Sequence, residues 1–367
     1  MDQELIYRLA LPRVPGIGHV HAKTLALHFG SASAIFQASP QALGSLDGIG
    51  PARARAILGF RDFTASEKEL AFFRRYGVQP LWIRDADYPQ RLLDCYDPPT
   101  LLFRKGSAAL NTERLVAVVG TRQPSVYGRQ LTEQLIRALA PYQPTIVSGL
   151  ALGIDGLAHR EALACGLPTI AVLAHGLATC YPGEHAGLAR EMIRNGGALL
   201  TEFSSRSQPD KHHFPIRNRI VAGMCDAIIV VETGLRGGSM ITAELANGYH
   251  KEVFTFPGRT IDTRSAGCNL LLRTHKASML TDGQQLAEQL GWADRPQPPN
   301  HPQQELLFPC SDAAATIRRV LQQADSMALD ELFSRSGLSS SHAAAAILEL
   351  ELKQAVEVLP GKRYRLA

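Results

Sequence analysis

Val116-Ala117-Val118-Val119-Gly120-Thr121-Arg122 decides the fold of this chain. Four apolar residues in a row make a strand buried on both faces, and they run directly into a turn of two small residues and a base. Beyond Gly128, Leu131, Leu135 and Leu139 fall four residues apart, on one face of a helix. The same alternation recurs on moving outward. Strand runs at 145–147, 169–173, 198–200, 227–231 and 253–256 are separated by helical stretches that include 156–164, 186–194 and 240–249. Strands alternating with helices predict an α/β domain, a doubly wound, mainly parallel sheet of Rossmann type. Such sheets take ligands just beyond the carboxyl ends of their strands.

Those ends hold small, polar and basic residues. The first strand ends in Gly120-Thr121-Arg122, the second in Ser148-Gly149 and the loop to Asp155. The fifth ends in Glu232-Thr233-Gly234, followed by Arg236-Gly237-Gly238-Ser239 and a helix carrying Thr242. Glycine N–H groups with the Ser239 and Thr242 hydroxyls at a helix start form an anion cradle. A further stretch, residues 206–219, read as a loop from Lys211 to Arg219, sets Arg206, Lys211, Arg217 and Arg219 against one acid, Asp210, and adds His212, His213, Phe214 and Asn218. Charge, hydrogen-bond donors and a stacking ring together are the parts of a single-stranded nucleic-acid site. Arg122 and Lys211 are expected to neutralise phosphates and Phe214 to stack under a base. The two histidines read as polar neighbours, Asp155 as the anchor of its loop, and Arg206 as a bystander.

On the amino-terminal side, residues 1–80 read as a helical domain. Val14-Pro15-Gly16-Ile17-Gly18 recurs 32 residues later as Leu46-Asp47-Gly48-Ile49-Gly50, each followed by a helix. This is a helix-hairpin-helix pattern, whose glycines serve either to admit a phosphate or simply to close turns between packed helices. Lys23, Arg53 and Arg55 are the basic residues flanking it. Residues 81–292 are assigned to the α/β domain, entered through an edge strand at 101–103. Five prolines between Pro296 and Pro309 mark 293–310 as a linker. Residues 311–367 follow as a winged helix, with helices at 313–324, 328–336 and 339–353 and a hairpin wing around Pro360-Gly361. Its second helix-turn-helix segment lacks the Arg/Lys set that reads duplex DNA, which favours protein docking.

Composition limits the alternatives. With 367 residues, 45% hydrophobic and 20% charged, the chain is globular, and a net charge of +4 confines any anion-binding surface to a local patch. Six cysteines without a C-x-x-C pair give no zinc or disulfide framework, and no apolar run is long enough to span a membrane, so a cytoplasmic location is expected. Neither G-x-G-x-x-G after the first strand nor a P-loop is present, and no cofactor is expected. Two other readings stay open: a nucleotide N-glycoside hydrolase using Gly237-Gly238-Ser239 with Glu244, and a winged-helix transcription regulator.

Four segments resemble the DNA-processing protein A (DprA, Smf) family: V-A-V-V-G-T-R at 116–122, S-G-L-A-L-G-I-D at 148–155, H-F-P-I-R-N-R at 213–219 and G-S-M-I-T-A-E at 238–244. The resemblance implies an extended Rossmann domain with an N-terminal helix-hairpin-helix (SAM-like) domain and, in part of the family, a C-terminal winged helix. It implies a non-enzymatic protein that binds single-stranded DNA without sequence preference, protects incoming strands during natural transformation and loads the RecA recombinase, acting as a homodimer. The family's DNA-contacting residues then fall on Gly120, Thr121, Arg122, Lys211, Phe214, Arg217 and Asn218. Ser148, Gly149, Gly238, Ser239 and Thr242 complete the expected DNA-binding set. The family's usual Arg-Ser-Gly-Ser turn reads Arg236-Gly237-Gly238-Ser239, one hydroxyl fewer, and its dimer-edge segment reads 271–277.

Overall fold

The computed structural model describes residues 2–292, 311–322, 324, 326–352, 355–359 and 363–366. They fall into two compact units, Met1–Ala293 and Asp294–Ala367.

The first unit opens with six helices: α1 (Asp2–Ala10), α2 (His19–Phe29), α3 (Ala32–Gln37), α4 (Pro40–Gly44), α5 (Gly50–Gly59) and α6 (Thr64–Tyr76). The repeated turns have the same backbone, with Gly16 at φ 79° and Gly48 at φ 80°, a conformation only glycine takes without strain. Arg53 reaches across both, donating to the Gly16 carbonyl (2.9 Å) and the Gly48 carbonyl (2.8 Å). Lys23 is likewise committed, its Nζ donating to the Leu93 and Cys95 carbonyls at 3.0 and 2.7 Å. Two of the three basic residues flanking the hairpins therefore hold the fold together. The helices are not a separate body, because Leu25, Ile35 and Ile57 belong to the same buried cluster as Leu81, Leu102 and Val119 of the sheet.

That sheet has nine strands: β1 (Gln79–Trp82), β2 (Leu101–Gly106), β3 (Leu115–Val119), β4 (Thr145–Ser148), β5 (Thr169–Val172), β6 (Ala198–Thr201), β7 (Ala227–Val230), β8 (Glu252–Thr255) and β9 (Ser278–Met279). Their order is β1-β2-β6-β5-β4-β3-β7-β8-β9. Pairing is parallel from β6 to β9 and antiparallel at β1–β2 and β2–β6. The expectation that 101–103 forms the edge is corrected: β2 lies between β1 and β6, and β1 is the edge. Pro80, which has no N–H to give a ladder, fits an edge strand, but in a four-residue run it also hides the strand signal. In β3, Val116 and Val118 face one core while Ala117 and Val119 face the other, as a strand covered on both sides requires.

Seven helices flank the sheet: α7 (Val126–Leu139), α8 (Ile154–Ala164), α9 (Ala186–Arg194), α10 (His213–Gly223), α11 (Gly238–Gly248), α12 (Ala266–Arg273) and α13 (Gly283–Gln289). Helix α10 corrects the reading of 211–219 as a loop. Pro215 stands in its first turn, where the missing N–H has no intrahelical partner to lose, so it starts this helix rather than breaking it.

The second unit contains α14 (Asp312–Leu321), β10 (Met327–Ala328), α15 (Leu329–Ser336), α16 (Ser340–Leu352), β11 (Val356–Leu359) and β12 (Arg363–Leu366), with sheet order β10-β12-β11. Val356 pairs with Leu366 and Val358 with Tyr364 across the wing. The wing's turn at 360–362 and the expected linker at 293–310 lie outside the described residues. Ile317, Leu332, Ile347 and Leu350 form the core, and α16 leaves Leu348 and Leu352 exposed. Among the described residues no helix is long and apolar enough to cross a membrane.

Candidate nucleic-acid interface

The chain winds from β3 outward to β6 and then returns to place β7 on the other side of β3, which makes the carboxyl ends of β3, β4 and β7 a topological switch point. A cavity of about 280 Å³ lies there. Gly120, Thr121 and Arg122 line it from the turn after β3, and Gly149 from the loop after β4. Phe214, Arg217 and Asn218 contribute from α10, and Gly238, Ser239 and Thr242 from the first two turns of α11. Ten of the twelve expected residues thus meet in one cleft. Ser148 and Lys211 do not line it: Ser148 is buried with its hydroxyl donating to the Val118 carbonyl (2.7 Å), and Lys211 is exposed just ahead of α10.

The turn after β3 is held from beneath by Glu232. Its backbone carbonyl accepts from Thr121 N–H at 2.7 Å, and its carboxylate accepts from Ser125 N–H (2.8 Å) and the Ser125 hydroxyl (2.6 Å). Gly153, at φ 81°, passes so close that a side chain there would meet the Thr121 carbonyl and lie 2.6 Å from the Arg122 carbonyl carbon. The result is a fixed turn that projects Arg122 outward. Arg122 is exposed and forms no ion pair among the described residues; its guanidinium sits 5.0 Å from the centre of the Phe214 ring. Tyr181, on the loop after β5, comes within 6.1 Å of the same ring. A cation and two aromatic rings therefore share one wall.

Arg217 differs from Arg122 in kind. Only 4% exposed, it donates Nη1 to the Gly149 carbonyl (2.6 Å) and to the Val172 carbonyl, and Nε to Asn218 Oδ1 (3.1 Å). It bolts the loop after β4 to the end of β5, and burial pulls its ionisation down to about 10. Asp155 lies close by and accepts from Gly149 N–H at 3.1 Å, which agrees with its reading as a loop anchor. Burial pushes its carboxyl up, and the nearby Arg217 charge opposes that shift. Opposite them, the buried Ser239 hydroxyl has no hydrogen-bond partner among the described residues although it lines the cavity. A ligand oxygen would satisfy it.

Two contributors were given no role from sequence, Glu232 although it was placed at a strand end and Tyr181 altogether. Glu232 and Tyr181 carry weak signals: an acid at a strand end, and an aromatic beside Pro182 in a loop at the same sheet edge. Arg206 lies outside this cleft and lines a larger cavity of about 560 Å³ between the helical segment and the sheet. There Glu202, pushed by burial to about 7, pairs with Arg219, which also donates to the Asp97 carbonyl. Glu244, the carboxylate of the hydrolase reading, lies outside the cleft lining, with Lys276 Nζ at 2.7 Å.

A switch-point cleft of this make-up, carried with a helix-hairpin-helix segment and a winged helix, defines an α/β protein built to hold an anionic ligand. The chain belongs to the DNA-processing protein A (DprA/Smf) family. The family described as DNA recombination-mediator protein A matches residues 79–291, a DprA winged helix domain matches 295–362 and a helix-hairpin-helix motif matches 5–68. Protein Smf of Synechocystis is 32% identical over 99% of both chains. DNA processing protein DprA of Streptococcus pneumoniae is 40% identical over 66% of this chain and 84% of its own. The crystal structure of the pneumococcal protein covers 77% of this chain and 97% of that one with a TM-score of 0.65 and 34% identity. DNA processing protein A from Helicobacter pylori, whose structure concerns its single-stranded DNA binding mode, covers 59% of this chain and 96% of that one with a TM-score of 0.53 and 33% identity.

Proposed function

We propose that this protein binds single-stranded DNA without sequence preference in the switch-point cleft, protects the strand, and passes it to the RecA recombinase, acting as a homodimer during recombination and natural transformation. The observation that carries the reading is the unpaired Arg122 guanidinium over the Phe214 ring at the mouth of a cradle of backbone and hydroxyl donors. A cation for phosphate and a ring for any base bind a strand regardless of sequence, since every base has a stacking face. The Helicobacter pylori relative supports the same ligand. RecA loading, the dimer and the role in transformation rest on family membership. Lys211 joins as an exposed phosphate contact beside the cleft, and Ser148 acts by fixing Gly149.

The test is a salt-titrated gel shift with single- and double-stranded oligonucleotides on the full chain. Single strands should bind more tightly, and affinity should fall steeply with salt. The Arg122→Ala/Lys211→Ala variant should lose most of its affinity and lower the salt slope by about 1.4, at roughly 0.7 per phosphate contact. Unchanged binding in that variant would sink the reading.

A further inference from the structure

We propose that the bound strand continues out of the cleft along a second groove, where Arg129, Arg160 and Arg264 hold its phosphates. This rests on the reading of the cleft as a single-strand site. The groove, about 450 Å³, adjoins the cleft, and Arg122 lines both. Arg129 enters it from α7, Arg160 from α8 and Arg264 from the loop between β8 and α12. All three are exposed, and among the described residues none has an ion pair or a side-chain hydrogen bond. Other arginines of the unit are engaged, among them Arg8 with Glu4, Arg91 with Asp226, Arg137 with Glu161 and Arg219 with Glu202, so it is the gathering of free ones in a single groove that distinguishes this surface. Including Arg122, four guanidinium groups without an ion pair among the described residues line a groove that holds one carboxylate, Glu184.

Like charges gathered without counter-charges raise each other's energy, and an anion threaded among them relieves that repulsion. The amino end of α8, opening after Gly153 with no side-chain cap, adds its positive dipole to the same groove. The ligand chemistry follows from the division of labour. The cleft supplies a ring for a base, whereas among the residues lining the groove there is no aromatic ring other than His185, which is buried with Nδ1 against the Leu150 carbonyl. The groove therefore takes backbone rather than bases: phosphates of the same strand, spaced along its path.

Strand length separates the two sites. Fluorescence anisotropy would compare an oligo-dT of about four nucleotides with one of about sixteen, the span of known single-strand site sizes. The Arg129→Ala/Arg160→Ala/Arg264→Ala variant should bind the short strand as the parent does and the long strand at least tenfold more weakly. Its long-strand salt slope should fall by about 2, at roughly 0.7 per lost contact. The corresponding triple Lys variant, which keeps the charge, should recover most of the affinity. A long strand whose residues outside a short charged core carry neutral methylphosphonate linkages should abolish the difference between parent and variant. Unaltered long-strand affinity and slope in the Ala variant would overturn the path, as would equal loss on both lengths. Failure of the parent protein to bind any single strand would instead overturn the cleft reading.

Discussion

Replacing Arg217 with alanine separates structural clamping from ligand contact, because the two arginines of the cleft are built for different tasks. Arg217 is buried and gives two charge-assisted bonds to the Gly149 and Val172 carbonyls. Each such bond contributes about 1.5–3 kcal/mol, and removing one partner of a buried charged set typically costs about 3–5 kcal/mol. For a unit of this size that is a loss of roughly 6–20 °C in melting temperature, at about 2–4 °C per kcal/mol. The loss should also depend on pH. Asp155, already pushed up by burial, loses the positive charge that holds its carboxyl down, so its pKa rises further. A raised folded-state pKa gives stability that is lost as pH rises, so the variant should be relatively worse at pH 8 than at pH 5. Arg122→Ala should behave in the opposite way. With no ion pair to lose, its stability should stay within about 0.5 kcal/mol of the parent, while its single-strand salt slope drops by about 0.7. Calorimetric melts and anisotropy titrations, run below the melting range of both variants, read the two quantities independently. An Arg217→Ala protein that melts like the parent yet loses DNA would refute the clamp and make Arg217 a direct ligand.

Phe214→Leu should weaken single-strand binding by about 1–3 kcal/mol through lost stacking, with Phe214→Tyr close to the parent; equal losses in the two variants, measured by anisotropy, would deny the ring its role. His159 is fully buried, its Nδ1 lies 2.7 Å from the Thr169 hydroxyl, and its Nε2 has no partner among the described residues. Burial first, then the His185, Arg217 and Arg160 charges, hold it down to about 3. Between that value and the ordinary 6.5 the unfolded chain takes up a proton that the folded chain refuses, so stability should fall as pH drops through this window. His159→Gln should melt with a shallower pH dependence below 6.5, and an identical slope in the two proteins would count against the buried neutral ring.

The sheet was legible because buried strands and their helices obey strict periods: Val116 and Val118 against Ala117 and Val119, then Leu131, Leu135 and Leu139, needed no knowledge of the rest of the chain. The short edge strand was hidden because Pro80 breaks the pattern that identifies strands, and only the neighbouring β2 backbone shows that its missing N–H does no harm. The cleft was legible as a set of turns, since small and basic residues at strand ends have few structural reasons to be there. What sequence could not rank was the use of each charge. Arg53, Arg217 and Arg219 look as available as Arg122, yet each is spent on carbonyls of its own chain, one of them more than a hundred residues away. A guanidinium is always charged and presents five donors, so its partner is decided by which backbone oxygens the fold brings within reach. Residue type thus locates a basic neighbourhood, and tertiary pairing decides which members remain free. By that criterion the 206–219 segment loses Arg217 and Arg219, which are committed, and keeps Lys211. The anion-binding surface then centres on Arg122 and the arginines of the adjoining groove, which have no ion-pair partner among the described residues.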